Sequence, residues 1–190
     1  MNQTSAATLV SVYMPTKDRL DLMREAIDSV LAQTYSPVEL IVVNDGSSDG
    51  TRAYLDELSA SNPMVRALHH EKPLGAPRSR NEAIRAARGE WVTGLDDDDA
   101  FEPHRIEALL GYAQMLERIG IRSSAVYSQY NTVRQSSVLA TAKRGSVTLE
   151  DLFERNSVGN QIFVRKEAIV AAGLYDETLP AWQDLDMIMR

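Results

Sequence analysis

Through roughly its first hundred residues the chain alternates short apolar runs with stretches whose apolar residues recur at helical spacing, and few folds accommodate that alternation. "TLVSVYM" at 8–14 is rich in β-formers and predicts a strand stopped by Pro15. Leu20, Met23, Ile27, Val30 and Leu31 then share one helical face. "ELIVVN" at 39–44 is almost continuously apolar, as expected of a strand covered on both faces. "DGSSDG" supplies a turn and helix cap, 50–60 predicts a helix, and "MVRALHH" at 64–70 predicts a third strand. Residues 76–88 predict a helix ended by Gly89, and "EWVTGL" at 90–95 a fourth strand. This β-α-β-α-β-α-β order predicts an α/β fold: an open, mainly parallel sheet flanked by helices on both faces.

The second half changes character. Ile106, Leu109, Leu110, Ala113 and Leu116 predict an amphipathic helix, "SAVYSQYNTVRQ" (124–135) and "SVLATAK" (137–143) antiparallel strands, "TLEDLFERN" (148–156) a short helix and "NQIFVRK" (160–166) a strand. These are expected to extend the same sheet as a small antiparallel addition. Residues 1–190 read as one domain. The last residues, "QDLDMIMR", predict a helix that has just begun, which implies a longer natural protein.

A formal net charge of −7 argues against general nucleic-acid binding, which needs a basic face. The absence of cysteine excludes disulfides, thiolate metal sites and cysteine nucleophiles. The leading segment has no signal-peptide pattern, and no apolar run approaches the ~20 residues of a membrane span. Asn2-Gln3-Thr4 matches a glycosylation acceptor by chance.

In parallel sheets of this type ligands bind beyond the carboxyl ends of the strands. Three polar clusters are predicted there: Thr16 to Arg19, Asp45 to Asp49, and Asp96 to Asp99. The four consecutive aspartates repel one another, by about 1 kcal/mol per contact in water and several times that near protein. Either a divalent cation compensates, or the run is a solvated turn feeding a helix N-terminus; both readings stand. The glycine-rich turn at 45–50 half fits a calcium loop, with Asp45, Ser47, Asp49 and Asp56 at suitable offsets, but an apolar strand precedes it where an EF-hand needs a helix. Arg78, Arg80 and Asn81 sit near a helix start, where anions are favoured; Arg85 and Arg88 read as surface residues. His69 and His70 point to opposite faces, so at most one of them faces the site, and they read as packing or surface residues. Trp91 reads as core, and Trp182, beside Asp184 and Asp186, as a wall of an acceptor pocket. P-loop, dinucleotide and nucleophile-elbow motifs are missing.

Four stretches in order, "VSVYMPTKDR", "SVLAQTYSPVELIVVNDGSSDGT", "GAPRSRNEAIRAARGEWVTGLDDDDAFEP" and "GNQIFVRKEAIVAAGLYDETLPAWQDLDMIMR", resemble family 2 glycosyltransferases of the GT-A fold. The resemblance implies a nucleotide-binding half at 1–100 and an acceptor-side half at 101–190. It implies that Pro15 and Thr16 lie along the donor nucleotide, that Asp45 accepts a hydrogen bond from the base, and that Arg80 supports the nucleotide or its diphosphate. Asp96 and Asp98 resemble the ends of the family's D-x-D motif, with Asp96 toward the ribose and Asp98 ligating Mn²⁺ or Mg²⁺. Asp184 matches the general base, with Asp186 as its competitor, and Asp176 resembles a structural residue. The implied partners are a nucleotide-sugar donor, UDP-linked by default, and a saccharide or glycolipid acceptor. The implied activity is inverting sugar transfer in cell-surface polysaccharide or glycoconjugate synthesis. The implied location is cytoplasmic, or peripheral to the inner face of the membrane. Lys17 and Asp18 depart from the family's usual aromatic and Asn, Lys72 from Asn, and Gln183 from Glu. Two rivals are a non-catalytic nucleotide-sugar binding module of a larger protein and a calcium-binding domain.

Overall fold

The computed structural model describes residues 7–134, 137–154 and 156–190; Asn2-Gln3-Thr4 lies outside them. Strands β1 (Val10–Thr16), β2 (Val38–Asn44), β3 (Val65–His69) and β4 (Trp91–Gly94) alternate with helices α1 (Leu20–Leu31), α2 (Thr51–Ser61) and α3 (Ala76–Ala86). Then come α4 (Arg105–Arg118), β5 (Ala125–Val126), β6 (Tyr130–Arg134), β7 (Ser137–Thr141), α5 (Leu149–Glu154), β8 (Phe163–Arg165), α6 (Lys166–Ala171) and α7 (Gln183–Met189). The main sheet has six strands in the order β3-β2-β1-β4-β8-β5. β1 to β4 are parallel, while β8 and β5 are added antiparallel. Among the described residues no helix is long and apolar enough to cross a membrane.

Strand alternation divides the core into two layers. Val10, Val12, Met14, Leu40 and Val42 pack with Met23, Ile27, Leu55 and Ile106. Tyr13, Ile41 and Val43 point the other way, to Ala83, Ile84, Ile169 and Met187. Helices therefore cover both faces, which is why β1 and β2 are buried along their whole length.

Two local expectations change. β1 does not stop at Pro15 but runs through it to Thr16, paired with β2. Tyr13 offers its carbonyl to the Leu95 N–H, and Thr16 offers its own to the Asp45 N–H. Alternation then turns Pro15 toward the β4 side, where β4 has already ended at Gly94, so no ladder bond needs its missing N–H. The stretch 124–135 is not one strand. β5 joins the main sheet, whereas β6 pairs with β7 in a separate two-stranded sheet, since strands so close in sequence pair antiparallel at little loop-closure cost. Arg88 lies on the surface as expected, and its Nε also donates to Glu39 at 2.8 Å.

Glu39 is 2% exposed in the middle of β2. It accepts from Ser11 Oγ (2.6 Å), the Arg88 N–H (2.6 Å) and the Arg88 guanidinium. Burial alone would raise its pKa, but these bonds outweigh it and hold the carboxyl below its ordinary value of 4.5. That contribution is present above the ordinary value and is lost as pH falls through the lowered one. Glu39→Ala is expected to cost about 2 kcal/mol, since it strands buried donors while Arg88 returns to water. Urea unfolding at neutral pH measures the loss, and it should shrink in acid.

Candidate functional site

Winding reverses between β1 and β4, since β2 and β3 lie on one side of β1 and β4 on the other. Parallel strands deliver their carboxyl ends to this one rim, and a crevice opens where the connections diverge. Pro15, Thr16, Asp45, Arg80, Asp96 and Asp98 all line a single cleft of about 540 Å³ there. The donor-side and metal-side residues expected from the sequence are thus brought together by the sheet.

The loop after β1 is cross-linked to the loop after β2. Asp18 has φ 51°, a left-handed conformation that Asp and Asn tolerate better than most residues, so the departure from Asn keeps the turn. Its N–H donates to Ser47 Oγ at 2.9 Å, and its Oδ1 accepts from the Ser48 N–H at 2.7 Å. Asp49 caps two helices, accepting from the Leu20 N–H at 2.9 Å and from Thr51 Oγ1 at 2.6 Å. Both of its oxygens are engaged at these helix starts. Gly46 is required: a Cβ there would stand 2.9 Å from the Pro73 backbone nitrogen.

Asp45 is 5% exposed at the end of β2. Its Oδ1 is bonded to His70 Nδ1 and accepts from the Leu74 N–H, both at 2.7 Å, and its Oδ2 accepts from the Gly75 N–H at 2.9 Å. Burial raises its pKa, but the His70, Leu74 and Gly75 bonds prevail and hold the carboxyl below its ordinary value. Arg80, on α3, is buried; its Nη2 donates to Asp96 Oδ1 at 2.8 Å, and its guanidinium lies 5.5 Å from the Tyr175 ring centroid. Asn81 fastens the same helix to the 175 stretch, donating to the Tyr175 carbonyl at 2.8 Å and accepting its N–H at 2.9 Å. Tyr13 and Tyr175 share a buried hydroxyl contact of 2.9 Å, and burial pushes the Tyr13 phenol up to about 12.

The aspartate run separates into different environments. Asp97 turns inward and is nearly buried, with Oδ1 3.1 Å from Arg19 Nη1. Asp98 stays half exposed, 2.8 Å from the same Arg19 nitrogen. Asp96 also bonds Asn160 Nδ2, and Asp99 accepts from Gln161 Nε2 at 2.6 Å. Burial, then the charges of Asp96 and Asp98, raise Asp99 above the ordinary carboxylate range. One carboxylate oxygen each from Asp96, Asp98 and Asp99 can come within 4.8 Å of one another. Hard oxygens in this number, with repulsion left over, fit a divalent cation such as Mg²⁺ or Mn²⁺.

Asp184 lies in the first turn of α7. Burial raises its pKa, Arg80 opposes and Asp96 assists, with a net rise, so α7 brings it within electrostatic reach of the cleft. Its Oδ1 is buried with no hydrogen-bond partner among the described residues. Asp186 instead pairs with Arg190 at 2.7 Å. Trp182 precedes α7 in a left-handed conformation, φ 63°, and is 76% exposed. Asp176 bonds the Thr178 N–H and hydroxyl, the structural role expected of it.

Sequence reasoning missed His70, Asn160 and Gln161. Each touches a rim carboxylate but lies far from it in sequence, and the only local signal for His70 was its position at a strand end. A larger cavity of about 1180 Å³, lined by Leu109, Tyr112, Val126 and Met187 among others, contains none of the rim acids. The chemistry converges on the smaller cleft.

A parallel sheet with acids gathered at its switch point and an antiparallel edge beyond β4 is the GT-A architecture. The chain belongs to glycosyl transferase family 2, whose model matches residues 11–166. It is 33% identical over 183 residues to WcaA of Escherichia coli (strain K12), a protein named for glycosyl transfer in colanic acid biosynthesis; the match covers 96% of this chain and 65% of that one. It is 34% identical over 125 residues to TuaG of Bacillus subtilis (strain 168), named for teichuronic acid biosynthesis, covering 66% of this chain and 49% of TuaG. Among solved structures, S. aureus TarS 1-349 with UDP superimposes with a TM-score of 0.77 at 20% identity, covering 94% of this chain and 54% of that one. The mannosyltransferase PcManGT from Pyrobaculum calidifontis, with GDP-Man and Mn²⁺, gives 0.66 at 20% identity, covering 95% and 51%. These two likenesses are of fold.

Proposed function

We propose that this chain carries the donor site and catalytic base of a metal-dependent, inverting glycosyltransferase. On this reading a sugar passes from a nucleotide diphosphate to an acceptor hydroxyl in polysaccharide or glycoconjugate synthesis. The observation that carries the reading is the convergence of the Asp45 carboxylate, the Arg80–Asp96 pair and Asp98 in one cleft, with Asp99 close to Asp96 and Asp98 and, nearby, a buried Asp184 oxygen that has no partner among the described residues. Relatives named for polysaccharide synthesis, and fold neighbours holding UDP or GDP-Man, support a nucleotide-sugar donor.

Pro15 and Thr16 would line the nucleotide, Asp45 would accept from its base, and Asp96 would meet the ribose. Arg80 stays cationic beside Asp96 and adds positive charge toward the diphosphate. Asp98, with Asp96 and Asp99 adjacent, would hold Mn²⁺ or Mg²⁺, which neutralises charge on the leaving diphosphate. Asp184 would take the acceptor's proton as the hydroxyl attacks from the face opposite the nucleotide. Titration calorimetry with UDP-sugars and GDP-sugars, with and without Mn²⁺, tests the donor reading. Binding that is independent of both the nucleotide and the metal would refute it.

Trp182 would form the acceptor platform. An exposed indole held in left-handed backbone beside the base suits stacking on a sugar ring. Trp182→Ala should raise the acceptor KM roughly fivefold to tenfold, for an aromatic contact of about 1 kcal/mol. Donor Kd should not move. Steady-state kinetics varying each substrate in turn separates the two.

A further inference from the structure

We infer that His70, gripped by Asp45 on one ring nitrogen and Glu82 on the other, is a positioning residue that fixes Asp45 as an acceptor-only edge and so restricts the donor to bases with a ring N–H. The inference rests on the donor reading above. His70 Nδ1 is 2.7 Å from Asp45 Oδ1, and Nε2 is 2.7 Å from Glu82 Oε2. A neutral imidazole has one N–H and would turn a lone pair toward one of these carboxylates. Only the imidazolium makes both contacts hydrogen bonds.

The His70 side chain is 7% exposed, so this charge is held by its two partners rather than by water. Burial lowers its pKa, but the bonds to Asp45 and Glu82 more than reverse that and raise it above the ordinary 6.5. Asp45 from the end of β2 and Glu82 from α3 are the charged groups whose fields act on the ring. Glu71, next in the chain, is exposed and pairs with Arg52 of α2 at 2.7 Å. His69 faces Asp56 and Asn44 instead.

Asp45 thus receives a charged donor and two backbone N–H groups, and it stays ionised with oxygen lone pairs still available to the cleft. Uracil N3–H and guanine N1–H can donate to such an edge. Cytosine and adenine present a ring lone pair at the corresponding position and would be repelled. A site built around a hydrogen bond rejects partners that cannot make it far more strongly than an apolar pocket does. The clamp is complete at low pH and is lost as pH rises through the raised His70 value.

The test is titration calorimetry with UDP, GDP, CDP and inorganic pyrophosphate, each with Mn²⁺, from about pH 6 to about pH 8. Wild type, His70→Gln and Glu82→Gln are compared. Expected at the lower pH is UDP or GDP binding at least roughly tenfold tighter than CDP. His70→Gln should lose most of that preference while its pyrophosphate affinity stays unchanged. The wild-type preference should decline as pH rises, and in Glu82→Gln it should decline at lower pH, because the imidazolium has lost one anionic partner. Should His70→Gln fail to fold, the half-exposed Glu82 substitution carries the test through its pH profile. CDP binding as tightly as UDP and GDP, equal weakening of pyrophosphate and nucleotide in His70→Gln, or a preference that ignores both pH and Glu82 overturns the inference while leaving the donor reading intact. If wild type binds no nucleotide more tightly than pyrophosphate, the donor reading falls and takes this inference with it.

Discussion

Asp184→Asn is expected to reduce sugar transfer by about 10²–10⁴-fold while leaving donor affinity within twofold or so of wild type. Asn fills the same volume at the start of α7, so the helix and the Met187 packing behind it are retained. What disappears is the only group at this position that can accept a proton. The Asp184 carboxylate is suited to that work because burial, with Asp96 adding to it against Arg80, raises its pKa above the ordinary 3.8, and its Oδ1 makes no hydrogen bond among the described residues. A base must be deprotonated to act, so the acid limb of kcat/KM should lie above the ordinary aspartate range, with rate rising through it as pH increases. Asp186→Asn removes one of several partners of Arg190 and should leave that limb where it is. Initial rates of nucleotide release with acceptor, measured across pH, decide between them. Normal turnover by the Asp184 variant would overturn the assignment of the base.

Asp98→Ala should weaken Mn²⁺-dependent donor binding by at least about 100-fold, more than loss of an outer-shell partner usually costs a metal site. The same change should scarcely alter stability. Asp98 is half exposed and its Arg19 partner equally so, and such a pair contributes about 0–1 kcal/mol. Removing one charge from four adjacent aspartates also relieves repulsion. The decisive comparison is calorimetric: UDP or GDP titrated into wild type and variant, with Mn²⁺ and with chelator. A variant that keeps its metal-dependent increment removes Asp98 from the cation site. One that loses binding equally with and without metal shows that Asp98 supports the nucleotide rather than the cation.

Much of this architecture was legible before any coordinates. Period-2 and period-3.6 patterns are local properties, so the β-α alternation, the burial of Trp91 and the gathering of Asp45 and Asp96 at strand ends followed from the chain alone. The reading failed where the outcome depended on what lies beside a residue. Pro15 ends a strand only if a neighbour needs its N–H, and β4 had already turned away. The bond from surface Arg88 to Glu39 was not legible because that partner is 49 positions earlier. His70 looked incidental because Asp45 and Glu82 reach it from a different strand and a helix.

The sequence by itself determined the parallel α/β frame and the rim on which the acids gather, because side-chain periodicity and turn chemistry act over a few residues; the four ordered stretches carried the resemblance to the family. Only the tertiary structure decided how the four aspartates divide. Arg19 draws Asp97 and Asp98 to one side, Arg80 and Asn160 hold Asp96, and Gln161 holds Asp99. Charges so close in sequence are distinguished by partners that folding imports from distant segments, and no local pattern encodes which partner arrives.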